Sequence, residues 1–223
     1  MKKTKAVIVF VKFPELGKVK TRLASSTSKN FAVELYKIVA DNIFEEISKL
    51  NSGVDVFIFF SEVDDKTKVL KWVNKNFEFL EQRGSNLGEK ISDAFEAVFL
   101  RGYSKSIIIG TDIPEMKAEI LDDAFSVLEN NDVVISPSND GGYSLLGIKE
   151  NYSFLFNNIE WSTNSVFYNT YLKMVKNNLS FKKLSTLNDI DTKEDLIQWV
   201  NSTQNNFLKN KIGVLAKKEG IVL

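Results

Sequence analysis

Residues 133–148 read VVISPSNDGGYSLLGI: two apolar runs, Val133–Pro137 and Tyr143–Ile148, joined by Ser138-Asn139-Asp140-Gly141-Gly142. Each run has the length and the β-branched or aromatic content of a strand. A parallel neighbour needs a crossover of a dozen or more residues, and five cannot supply it. The second run is therefore predicted to turn back antiparallel to its neighbours.

Everything upstream alternates differently. Residues 6–11 form an apolar strand, and Phe31, Leu35, Ile38, Val39, Ile43 and Ile47 recur at helical spacing, which predicts an amphipathic helix over about residues 29–50, stopped by Asn51-Ser52-Gly53. Then come a strand at 54–60, a helix near 65–75, a short strand at 77–82, and a helix over about 87–101 carrying Leu87, Ile91, Phe95 and Val98 on one stripe. A strand at 106–110 and a helix near 117–129 lead into the opening pair. After it the pattern predicts a helix near 163–177, a strand near 181–187, a helix from about 192 and a weakly patterned tail. Repeated strand–helix units followed by a reversal predict an α/β fold, a three-layer α/β/α sandwich whose mixed, mainly parallel sheet admits an antiparallel member. No linker, repeat or low-complexity segment divides residues 1–223, so one domain is expected.

Composition narrows the chemistry. The chain has 223 residues, 29 basic and 29 acidic side chains, no histidine and no cysteine. A formal net charge of zero argues against nucleic acid as a partner, because no global basic field exists to hold it. No stretch has the length of a membrane span and no secretion signal is legible, so the expected location is cytoplasmic. Without histidine or cysteine there is no Ser-His or Cys-His pair and no ordinary zinc site. Any metal must be held by oxygen, which suits Mg²⁺ or Mn²⁺.

The stretch after the first strand, FVKFPELGKVKTRL at residues 10–23, is a loop crowded with cations. Such a loop leaves the carboxyl edge of the sheet, where α/β proteins bind ligands. Lys12, Lys18, Lys20 and Arg22, with Gly17 and Thr21, make a phosphate or diphosphate the first ligand to expect, against the alternative of a merely solvated lysine-rich loop. Arginine occurs three times, at Arg22, Arg83 and Arg101, so its planar fork at position 22 adds weight to the phosphate reading.

Five further segments carry chemistry, three of them with a plainer account beside it. Asp112, in Gly110-Thr111-Asp112-Ile113-Pro114, sits in an extended turn at a strand end and either faces a cleft or bonds its own turn. Asn188-Asp189-Ile190-Asp191-Thr192 is acidic, though Thr192 and Asp195 have capping-box spacing. Asp112 with Asp189 or Asp191 is the expected metal set, because a cation site needs carboxylates converging from distant sequence. Asp140-Gly141-Gly142-Tyr143 is either an ordinary hairpin turn or a place where backbone and carboxylate approach a sugar or phosphate. The segment at 82–88, with Gln82, Gly84 and Gly88, opens a helix where amides face an anion, and Trp161-Ser162-Thr163 offers an aromatic surface beside a helix start.

In order and spacing, FVKFPELGKVKTRLA, QRGSNLGEKISDAF, IIIGTDIP, VVISPSNDGGYSLLGI, IEWST and LNDIDTKEDL resemble the bacterial glycosyltransferase-like proteins of the DUF2064 family, in the nucleotide-diphospho-sugar transferase (GT-A) superfamily. The resemblance covers about residues 5–198 and leaves the C-terminal segment 200–223 unassigned. It implies a Rossmann-like GT-A fold binding a nucleotide and a divalent cation, with Lys20 and Arg22 on the diphosphate, Asp112 at the D-x-D position, which here reads Thr-Asp-Ile, and Asp140 to Tyr143 on donor or acceptor. The loop also looks like that of nucleotidyltransferases acting on molybdenum cofactor and on phospholactate. The expected function is metal-assisted glycosyl transfer from a nucleotide sugar to a small-molecule acceptor, with Lys20 stabilising the leaving diphosphate and Asp140 as candidate base. The alternatives are nucleotidyl transfer from a nucleoside triphosphate to a phosphorylated acceptor, and nucleotide binding without turnover.

Overall fold

Successive residues of a strand face opposite ways, and the first strand shows what that does here. In β1 (Lys5–Val11), Val7, Val9 and Val11 pack into one hydrophobic core while Ala6 and Ile8 pack into another. A strand buried on both faces needs a helical layer on each side. The computed structural model, which describes residues 4–223, has those layers. On one side α2 (Lys29–Ile47), α3 (Lys66–Val73), α5 (Ala118–Val127), α7 (Lys193–Ser202) and α8 (Asn206–Lys218) bury Phe31, Val69, Phe125, Leu196 and Ile212 against the sheet. On the other, α4 (Leu87–Phe99) contributes Ile91, Ala94, Phe95 and Val98, and α6 (Val166–Lys176) contributes Met174.

The sheet has seven strands in the order β3-β2-β1-β4-β6-β5-β7, with β2 at Val54–Phe60, β3 at Glu78–Glu81, β4 at Lys105–Ile109, β5 at Val133–Pro137, β6 at Tyr143–Ile148 and β7 at Phe181–Lys183. β6 runs antiparallel to both β4 and β5, and the other pairs are parallel. This is the mixed, mainly parallel α/β arrangement that the five-residue link predicts. It also brings the start of β6 to the edge where β1, β4 and β5 end.

Three details differ from the sequence reading. Residues that close the basic loop wind into a short helix, α1 (Thr21–Ser26). The strand expected at 181–187 pairs over three residues and continues as an extended segment. The weakly patterned tail forms α8, whose Leu208, Ile212, Leu215 and Ala216 are buried in the core that also holds α2. Its apolar residues are spaced for one face, but the intervening lysines hide that stripe from a count of hydrophobicity. Among the described residues no helix is long and apolar enough to cross a membrane.

Candidate active site

The path of the chain after β7 builds the site. Leu184 N–H donates to Ile135 O (2.9 Å), Leu187 N–H to Pro137 O (3.0 Å), and Ile190 N–H to Asp112 O (3.4 Å), so the segment crosses the end of β5 and arrives beside β4. The Ser144 hydroxyl, at the start of β6, fastens it by donating to Leu187 O (2.6 Å). Ile190 is 1% exposed and anchors the segment in the core. In an extended segment the residues on either side of such an anchor share a face, so Asp189 and Asp191 project together. One carboxylate oxygen from each of Asp112, Asp189 and Asp191 lies within 4.8 Å of the others. Thr192 and Asp195 behind them are occupied by a reciprocal capping box that starts α7.

From the opposite direction comes Lys20, the residue before α1, held in a left-handed conformation (φ 47°, ψ 46°) that a side chain adopts at a cost. Its side chain is 5% exposed, and Nζ lies 3.0 Å from Asp112 Oδ2 and 2.6 Å from Asp191 Oδ1. Burial opposes the charge on this ammonium, and the Asp112 and Asp191 carboxylates outweigh it, holding the pKa above the ordinary lysine value. Asp189 shows the complementary effect. Burial, reinforced by the neighbouring Asp112 and Asp191, pushes its carboxyl up to about 6. Arg22 is 70% exposed and reaches Asp191 Oδ2 at 3.5 Å.

A hydroxyl network ties the basic loop to the Asp112 turn. Tyr36 on α2 shares a 2.8 Å hydrogen bond with Thr111, its oxygen accepts from Lys12 N–H (3.2 Å), and Thr111 donates to Phe10 O (3.2 Å). Burial pushes the Tyr36 phenol up to about 12, so it stays a neutral donor. Tyr36 is a contact the sequence reading misses, because locally it is one more residue on a helix. Thr111 likewise carries no local sign beyond its place in a turn.

These groups line a cleft of about 640 Å³, with Lys12, Lys18, Lys20, Thr21, Arg22, Gln82, Asp112, Tyr143 and Asp191 among its walls. The volume is within the range of small-ligand sites. Gln82 has a structural task as well, its amide donating to Val11 O (3.3 Å) and Phe59 O (2.9 Å) and so holding the ends of β1 and β2 together. A second cavity of about 820 Å³ shares Arg22 and Asp191 with the first and is lined further by Glu115, Asp140, Asp189 and Trp199. Burial pushes Glu115 up to about 7.

The remaining candidates carry structural contacts, and Lys18, Tyr143 and Asp140 line a cavity as well. Gly17 forms the turn of the basic loop (φ 76°), and Lys18 pairs with Glu15 (3.0 Å) on the surface. Gly84 packs against Glu89 at the start of α4. A Cβ on Gly88 would lie 2.2 Å from Trp161 Nε1, so this glycine seats the indole, which meets Tyr143 edge to face at 6.4 Å. Ser162 has a positive φ (63°), and the Thr163 hydroxyl donates to Glu160 O (2.7 Å). In the 138–142 turn, the Asp140 carboxylate accepts from Gly142 N–H (3.0 Å) and from the Ser138 hydroxyl. Gly141 takes the positive φ (88°), and a Cβ there would lie 2.2 Å from Asn164 O. These bonds and the packing on the 158–165 loop account for the turn's conformation, while Asp140 also lines the second cavity.

The three carboxylates are a donor set that fits a divalent ion. Two oxygens on opposite sides of Mg²⁺ stand about 4.2 Å apart, close to the span observed, and an all-oxygen set suits Mg²⁺ or Mn²⁺ rather than zinc.

Comparison with known proteins agrees with this architecture. Over 160 residues, 67% of this chain and 68% of the relative, the sequence is 26% identical to 2-phospho-L-lactate guanylyltransferase of Methanocaldococcus vulcanius, and over 158 residues it is 28% identical to the enzyme of that name from Methanocaldococcus jannaschii, covering 66% of each. A crystal structure from Desulfovibrio desulfuricans G20, provisionally assigned as a nucleotide-diphospho-sugar transferase, superposes with a TM-score of 0.87 at 29% identity over 96% of this chain and 97% of that one. At 11% identity, 4-diphosphocytidyl-2C-methyl-D-erythritol synthase from Anaerococcus prevotii shares the fold, with a TM-score of 0.60 over 95% and 97% of the two chains. The DUF2064 profile, described as uncharacterized protein conserved in bacteria, matches residues 47–163, more than half of the chain, and the protein belongs to that family.

Proposed function

We propose that the protein is a nucleotidyltransferase, binding a nucleoside triphosphate in the cleft beside Lys20 and passing its nucleoside monophosphate to a phosphorylated small-molecule acceptor. That it is a transferase follows from its relatives. The observation that carries the proposal is the convergence of the Lys20 ammonium, the Arg22 guanidinium and three carboxylates where two adjoining cavities meet, Asp112 and Asp191 on the cleft and Asp189 on the second cavity. The relatives named as guanylyltransferases favour nucleotidyl over glycosyl transfer, which corrects the order of preference that the sequence suggests.

In this reading an acceptor phosphate oxygen attacks the α-phosphorus, the bond to the bridging oxygen breaks, and pyrophosphate leaves. Such reactions rest on positioning and charge neutralisation more than on covalent chemistry. Lys20 and Arg22 would neutralise charge on the leaving pyrophosphate. Asp112, Asp189 and Asp191 would hold Mg²⁺ or Mn²⁺, which when bound supplies Lewis-acid stabilisation of phosphate oxygens. Tyr36, through Thr111 and the Lys12 amide, would keep loop and aspartate in register.

The test is to incubate the protein with GTP, CTP, ATP or UTP, Mg²⁺ and a panel of phosphorylated hydroxy acids and alcohols, and to follow pyrophosphate. Release that requires both substrates supports the proposal. Consumption of nucleotide sugars with release of nucleoside diphosphate, and no pyrophosphate from any triphosphate, would replace it with the glycosyl reading that the Desulfovibrio structure's assignment favours.

A further inference from the structure

Resting on that reading, we propose that Lys20 is a resident counter-cation that a divalent ion has to displace, so that metal enters the carboxylate cluster together with a nucleotide's phosphates and not ahead of them. The ammonium is already bound to two of the three carboxylates an ion would use. Nζ contacts Asp112 Oδ2 at 3.0 Å and Asp191 Oδ1 at 2.6 Å, and both residues belong to the candidate metal set. A divalent ion among the three carboxylates would stand within about 4 Å of an unmoved ammonium, close enough for strong like-charge repulsion in a partly buried site.

The placement is built. Lys20 adopts a left-handed backbone conformation, and its side chain is 5% exposed, so loop and core both aim it at the cluster. The way out is built too. Lys20 lines the cleft together with Lys12 and Arg22, so rotation about its four-carbon stem moves the ammonium towards the place proposed for the triphosphate. A bare ion offers the displaced ammonium no new partner, whereas an ion chelated by a triphosphate brings one with it. Ion and nucleotide therefore bind cooperatively, and Lys20 is the residue that couples them.

Titration of Mn²⁺ followed by electron paramagnetic resonance, with and without a non-hydrolysable nucleoside triphosphate, tests this on the parent chain and on Lys20→Met. The parent should take up Mn²⁺ weakly alone and tightly with nucleotide, beyond what the nucleotide's own affinity for the ion explains. Lys20→Met should bind bare Mn²⁺ about tenfold or more tightly than the parent, gain melting temperature on adding it, and bind nucleotide more weakly. Since the variant leaves three carboxylates facing one another, Lys20→Gln is carried in parallel, and Mn²⁺-dependent refolding of either is read as tighter binding. Equal bare-Mn²⁺ affinities in parent and variants overturn the exchange while leaving the metal site standing. Absence of nucleotide-dependent Mn²⁺ uptake in the parent, unchanged by Asp112→Asn, removes the metal site itself and the exchange with it.

Discussion

Two segments at the same edge of the sheet, the basic loop and the 138–142 turn, are alike in sequence: both are glycine-bearing and charged. They differ in where their polar atoms go. Asp140 bonds within its own turn, to Gly142 N–H and the Ser138 hydroxyl, and Gly141 fills a space that any side chain would clash with. Lys20, Asp112 and Asp191 instead meet across 92 and 171 residues of sequence, at the wall of an open cleft. A charge satisfied by its neighbours holds a turn together. A charge satisfied by distant elements holds those elements in a geometry that a ligand can use.

The largest expected effect tests the second region. Asp112→Asn should abolish the Mn²⁺-dependent part of nucleotide affinity while leaving the circular dichroism spectrum unchanged, and manganese titrating the variant like the parent would refute the metal assignment. Next, the turn should respond through stability. Gly141→Ala forces a side chain into a left-handed conformation and against Asn164 O, costing about 2–3 kcal/mol and lowering the melting temperature by roughly 5–10 °C, whereas Asp140→Asn should change it little. Nucleotide affinity lost with Asp140→Asn at an unchanged melting temperature would break the contrast and return Asp140 to the site.

Smaller is the expected loss for Arg22→Ala, about tenfold in nucleotide affinity by calorimetry against none for Arg101→Ala, because Arg22 borders the cleft and Arg101 donates to Ala97 O at the far end of α4. Equal affinities would detach the basic loop from the site. Smallest is an effect of pH at the second cavity. The Glu115 carboxyl is held up to about 7 by burial, so the folded chain keeps its proton where the unfolded chain has lost it, and stability falls as pH rises from about 4.5 towards 7. Glu115→Gln should therefore gain on the parent by about 1–4 °C in melting temperature between pH 5 and pH 8. A constant difference across that range would show that Glu115 titrates as an exposed carboxylate.

Much of the fold was legible because burial imposes a period. Alternation in Lys5–Val11, the stripe through Phe31, Leu35, Val39 and Ile43, and the five-residue link before Tyr143 each follow from which face must avoid water or how far a chain can reach. The tail was less legible, since α8 owes its place to packing with α2 and to Asn205, which caps it by accepting from Leu208 N–H (3.0 Å). At the site, residue types pointed to the basic loop and to Asp112, Asp189 and Asp191. Tyr36, Thr111 and Glu115 gave no local sign, because their significance lies in what reaches them from other elements.

By itself the sequence determined the alternation of strands and helices, the single reversal in the sheet, and the chemistry open to a bound metal, since a chain without histidine or cysteine can offer it oxygen ligands and little else. The tertiary structure decided which carboxylates those are. Asp189 and Asp191 stand beside Asp112 because the segment after β7 crosses the ends of β5 and β6 with Ile190 buried beneath it, and Lys20 meets them because a left-handed turn aims it there. Local patterns record whether a residue faces water or core, whereas convergence depends on the path of the whole chain, which only the packed sheet defines.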